Sequence, residues 1–112
     1  MSLSIRLLCE PVRSIAAAAI SNAYMGVGTA MSQPIRMFIF QNLTDAEVMV
    51  SFDGINDNLP LASNGYLVLD VTANKTINTG FFFAEGSRIY VKQIGVPTTG
   101  NVYVTTFYGS PV

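Results

Sequence analysis

A chain of 112 residues with one cysteine and no histidine has the length of a single domain. It can bury roughly 65% of its unfolded surface, yet it lacks the side chains on which most metal sites and acid–base catalysis depend. Half of its residues are hydrophobic and only 12% are charged, against about 25% in an ordinary soluble protein; this excludes a disordered chain and favours burial in an assembly. The basic residues Arg6, Arg13, Arg36, Lys75, Arg88 and Lys92 are scattered, so no clustered basic face is expected and nucleic acid is not an expected partner.

Residues 1–33 are rich in Ala, Ser and Met and carry the flexible stretch Gly26-Val27-Gly28-Thr29. Their alternation is weak. Helix around Ile15–Ile20 and strand around Val12–Ile20 are both open readings, since alanine favours helix. We expect an arm over 1–33, with a possible first strand, that orders on a neighbour. Cys9 has no second cysteine to pair with inside the chain, so no internal disulfide forms. Leu7-Leu8-Cys9 has too little chain before it for a lipoprotein signal, and Ile15–Ile20 is far shorter than the ~20 apolar residues of a membrane span. The expectation is a soluble protein made in the cytoplasm, with no membrane partner.

From Pro34 onwards a period of two takes over, and residues 34–112 are read as the β-sandwich domain. Ile35, Met37 and Ile39 alternate with Arg36, Phe38 and Phe40; both faces are apolar, so this strand is central or covered on its outer side. Asn42-Leu43-Thr44-Asp45 reads as a turn. Val48, Val50 and Phe52 form a half-buried strand, closed by the turn signal Asp53-Gly54. Pro60 confines Asn58–Ala62 to a sheet edge. Asn64-Gly65 is a second tight turn, followed by a strand over Tyr66–Val71. A turn at Ala73-Asn74 leads to Lys75–Ile77 and then to an aromatic strand, Phe81-Phe82-Phe83. Glu85-Gly86 turns the chain into Arg88–Lys92, and the loop Pro97–Gly100 precedes a last strand through Val102 and Val104 to Tyr108. This spacing predicts an all-β fold, an antiparallel β-sandwich of the jelly-roll kind.

The chemistry for catalysis is missing. Triad hydrolases need a general base, usually histidine, and the carboxylates Asp45, Asp53, Asp57, Asp70 and Glu85 sit mostly in turn signals. We expect no enzyme, no cofactor and no metal. The oxygen-rich loop Asp53–Asn58 is the one place where calcium merits a check, but its glycine follows directly on the first Asp, and a turn held by Asx hydrogen bonds fits better. Asn42-Leu43-Thr44 and Asn74-Lys75-Thr76 match the glycosylation pattern and are read as turn residues. The aromatics are read as core and contact residues rather than sugar platforms. Arg6 and Arg13, with their planar forks, and Phe38, Phe40 and Tyr90 are the expected contact residues.

Four segments carry a resemblance: Pro34–Asp45, Val50–Gly54, Leu69–Lys75 and Arg88–Lys92. They look like small virion proteins of tailed bacteriophages, and in size and character the chain resembles the capsid decoration, or staple, proteins of short-tailed enterobacterial phages. That resemblance implies a jelly-roll protein on the outer surface of the capsid, made in the host cytoplasm. It would clamp neighbouring subunits, with the major capsid protein and copies of itself as partners. A neck or tail ring component and a carbohydrate-binding β-sandwich are the alternatives.

Overall fold

The computed structural model describes residues 5–70 and 86–111, and two antiparallel sheets account for most of them. The strands are β1 (Ile5–Cys9), β2 (Arg13–Ala16), β3 (Met25–Gly26), β4 (Met37–Thr44), β5 (Val48–Ser51), β6 (Leu59–Leu61), β7 (Tyr66–Asp70), β8 (Tyr90–Gln93) and β9 (Gly100–Pro111). One sheet runs β1-β9-β4-β7, with β2 also paired to β9; the other runs β3-β8-β5-β6. Counting β1 and β2 as one strand broken at a corner, the described residues hold eight strands in two four-stranded sheets with the strand order of a jelly roll, β5 and β6 being neighbours in the smaller one. The fold is an antiparallel β-sandwich, as the alternation predicts.

Register decides which side of each strand is dry, because directly paired residues share a face. Phe38 pairs with Leu69 and Thr106, and Phe40 with Leu67 and Val104. Phe38 and Phe40 are both 0% exposed. Across from them Val48, Val50 and Val91 close the core from the smaller sheet, and Phe52 meets Phe38 edge-on at 6.0 Å. Each such large side chain contributes about 1.5–3 kcal/mol by leaving water.

Several expectations need correction. Residues 5–33 form no separate arm: β1 and β2 pair with β9, β3 pairs with β8, and Ala17, Ile20, Val27 and Met31 are buried. Over 12–20 the chain is strand only at Arg13–Ala16, then a 3-10 turn at Ala17–Ala19. The turn expected at Asn42–Asp45 is the end of β4, which runs through Thr44. The reason is Asn42, fully buried, whose amide donates to the carbonyls of Ala46, Leu61 and Ala62 and accepts from Thr44. A side chain so enclosed is no glycosylation acceptor. Asn64 does take a left-handed turn conformation at φ 62°, and β6 with Pro60 lies at a sheet edge, both as expected. The strands expected at Lys75–Ile77 and Phe81–Phe83 lie outside the described residues.

Candidate functional site

The outward side of the larger sheet follows from the same register. One row is Tyr66, Gln41, Tyr103 and Ser14; the next is Val68, Ile39 and Thr105; a third is Asp70, Met37, Phe107 and Cys9. Leu43, Asn101 and Ala16 form a further row. Tyr66 is 71% exposed, Val68 49%, Leu43 45% and, on β1, Leu7 60%. Among the strand residues of this sheet whose side chains are described, the one charged residue facing out is Asp70, at the end of β7. The result is a broad, nearly uncharged sheet face with aromatic and aliphatic side chains standing in rows.

The smaller sheet presents the opposite chemistry. Its outward residues include Met49, Lys92, Tyr90 and Pro60. Lys92 Nζ lies 2.9 Å from Asp57 Oδ1 and 4.8 Å from the centre of the Tyr24 ring. The Tyr24 hydroxyl donates to Asp57. Burial and the bond to Asp57 push the Tyr24 hydroxyl up to about 12, while the bonds from Tyr24 and Lys92 hold the Asp57 carboxyl below its usual range. Beside them the Arg88 guanidinium stands over the Tyr90 ring at 5.8 Å. This face carries the Lys92–Asp57 ion pair and the Arg88 guanidinium, which donates to the Gly28 carbonyl.

Two carboxylates fasten loops. Asp53 accepts from the backbone N–H groups of Ile55 and Asn56, both at 2.9 Å, and from the Asn56 amide and Ser51 hydroxyl. These donors hold its carboxyl well below the ordinary range. The Asp53–Asn58 loop is therefore a turn held by Asx bonds. Asp45 accepts from the hydroxyl and N–H of Thr98 and the N–H of Thr99, which lower its pKa to about 2.

A third cluster lies inside. Arg13 is buried against Glu10 at 2.8 Å, and donates to the carbonyls of Thr29 and Ala30 and to the Thr106 hydroxyl. Glu10 also accepts from Thr106 and from the N–H and hydroxyl of Ser32. Burial alone would raise the Glu10 pKa, but the bonds from Ser32, Arg13 and Thr106 overcome it and the carboxyl titrates below its usual value. The cluster pins the 29–32 loop and the β1–β2 corner to β9. A pocket opens beside it, lined by Pro11, Val12, Gly28 and Thr29 among others. Glu10 and Arg13 are already occupied by partners within the chain.

The expected contact residues are thus dispersed. Arg13 is an interior latch, and Phe38 and Phe40 are core; their strand neighbours Met37 and Ile39 are the ones that face out. Tyr90 lies on the outer side of the smaller sheet, under Gly54 and Arg88. The Arg6 side chain lies outside the described residues. The residues that stand on the outer side of the larger sheet, among them Leu7, Met37, Ile39, Tyr66, Val68 and Phe107, are not among those expected contact residues. The signal was present, because β4 and β7 are apolar at both parities.

No protein-family model matches the chain, and no curated protein matches it. Among solved structures it is similar to a protein from a study titled "Bacillus endospore appendages form a novel family of disulfide-linked pili". The TM-score is 0.53 at 11% identity, over 96% of this chain and 90% of the other. The likeness is one of fold.

Proposed function

We propose that the chain is a structural protein of a virus particle. In this reading it is a decoration protein that lies on the outside of a tailed-phage head and clamps neighbouring major capsid protein subunits. The observation that carries this reading is the uncharged outer face of the larger sheet. A neutral sheet face several rows broad, with Leu7, Leu43, Tyr66 and Val68 exposed on it, suits a protein contact. The resemblance of the sequence to small virion proteins supplies the kind of assembly. Clamping needs no chemical step: each copy adds contact area across a seam, and many equivalent copies sum their effect.

The likeness in fold to an appendage protein favours a second reading, a subunit of a protein fibre. Sedimenting lysates of producing cells on a density gradient separates the two. Under the decoration reading the chain bands with phage heads, in numbers comparable to the major capsid protein. A few copies per head point to the neck or tail, and banding with filaments points to the fibre. Absence from every particle overturns both readings.

A further inference from the structure

We propose that the end of the sandwich formed by residues 43–47 and 94–99 is a second docking surface, which seats in an apolar socket with a basic rim on a shell subunit. This rests on the reading of the chain as a clamp. Holding two subunits together takes two surfaces on each copy, and the neutral sheet face supplies one.

Register gathers four loops at this end. Thr44 pairs with Gly100 and Val48 with Gln93, so the β4–β5 turn and the β8–β9 loop meet there. The Ser63 hydroxyl donates to the Thr44 carbonyl, and the Gln93 N–H to the Ser21 carbonyl, which brings in residues 62–65 and 17–23. The neutral face lies along the side of the strands, whereas this end caps them. Surfaces that look in two directions can reach two subunits.

The tip is fastened in place. The N–H groups of Ile94 and Gly95 both donate to the Glu47 carbonyl at 3.1 Å. The Asp45 carboxylate accepts from the N–H groups of Thr98 and Thr99, at 2.8 and 3.2 Å, and from the Thr98 hydroxyl, while the Asp45 N–H donates to the Thr99 carbonyl. Gly95 lies so near the β4–β5 turn that a Cβ on it would stand 3.3 Å from the Ala46 Cβ. Between these fastenings Val96 is 71% exposed and Ile94 46%. A free loop would lose conformational freedom on binding. A loop already held loses little, so its apolar side chains serve as preformed knobs.

Charge names the partner. Asp45 and Glu47 are exposed, and the four loops contain no lysine or arginine. An apolar knob flanked by carboxylates is complemented by an apolar hollow with lysine or arginine beside it. The same carboxylates are repelled by an anionic lipid surface. Ile55, exposed at the opposite end, stands singly in a loop whose Asp57 is already paired with Lys92.

Cosedimentation of the purified full chain with phage heads prepared without it tests this. Val96→Ser and Glu47→Lys alter the tip, Val68→Lys alters the neutral face, and Ile55→Ser at the opposite end is the control. Melting curves establish that each variant folds. Val96→Ser should weaken binding at least about tenfold. Glu47→Lys should weaken it at low salt, with the difference shrinking as salt rises, and Ile55→Ser should bind as the parent does. Tip variants that bind as tightly as the parent overturn the proposal, as does an equal loss for Ile55→Ser. If the tip variants bind normally while Val68→Lys fails, the tip falls and the neutral face stands as the contact surface. A parent that binds no heads overturns both. Self-association of the free chain, or binding to anionic lipid vesicles, that is lost with Val96→Ser gives the tip another occupant and also overturns the proposal.

Discussion

On the larger sheet the outward rows run Tyr66–Gln41–Tyr103 and Val68–Ile39–Thr105; on the smaller one Lys92, Tyr90 and Met49 face out beside Tyr24 and Asp57. Both sheets rest on the same core of Phe38, Phe40, Val50 and Val91, so core packing does not explain the difference. A face meant for water is served by paired charges and Asx-held turns. A face that stays neutral over several rows carries a solubility cost as a free surface, and that cost is recovered when a protein covers it. The contrast teaches that the outer chemistry of a sandwich, not its fold, carries the functional information here.

The largest expected effects lie beneath both faces, where the residues hold the sandwich together. Arg13→Ala leaves Glu10 buried without its cation and should cost about 3–5 kcal/mol in denaturant unfolding. Replacing the pair together, Glu10→Leu with Arg13→Met, should recover much of that loss. If Arg13→Ala is harmless, residues 5–33 are not fastened to the larger sheet as described.

Asn42→Ala should cost about 1–3 kcal/mol or more by leaving the carbonyls of Leu61 and Ala62 short of a donor. The same melting experiment reads it. The loss should appear equally with and without any binding partner, because Asn42 faces the core.

Acid should act through the loop clamps and the latch rather than the neutral face. Glu10, Asp45 and Asp53 all have folded pKa values below their ordinary ones. Their stabilisation is therefore complete above about pH 4, the unfolded carboxylate range, and is lost as pH falls through the folded values, near 2 for Asp45. Melting temperature should drop between about pH 4 and 2, and Asp45→Asn should flatten that drop. A fall that begins above pH 5 would need another titrating group.

The smallest stability effects belong to the surface, and there the two faces part. Val68→Lys and Lys92→Ala should each change stability by no more than about 0.5 kcal/mol. Val68→Lys should abolish particle binding while Lys92→Ala leaves it intact. Equal effects on binding would erase the distinction between the faces.

Much of the fold was legible because β5 and β9 alternate, β4 and β7 are apolar runs of strand-forming residues, and Asn64-Gly65, Asp53-Gly54 and Gly100 bound them. Residues 5–33 were not, because the inward positions of that stretch include Glu10 and Arg13, and charged residues inside a sheet defeat a hydrophobic pattern. Asn42 misled for a related reason: an Asn-x-Thr sequence reads as a turn, whereas here its amide bonds substitute for the turn and let the strand continue. For the site, double-sided apolarity in β4 told of a covered outer face, but not which parity was core. Size and aromaticity alone suggest Phe38 and Phe40 for the contact side. The register with Thr106 and Val104 puts them inside, and only a fold with both sheets in place fixes that choice.

The central claim, that the neutral face is covered in the assembly while the charged one stays wet, is most directly tested by thiol accessibility. Cys9 is exposed and shares a row with Met37 and Phe107. Maleimide labelling of the free chain and of the chain in its particle reads that face, and a Cys9→Ser protein carrying Ile55→Cys reads a position off it. The account predicts that Cys9 reacts readily in the free chain and is strongly protected in the particle, while the thiol at 55 reacts at similar rates in both. Equal reactivity of Cys9 free and assembled, or protection at 55 instead, would contradict it.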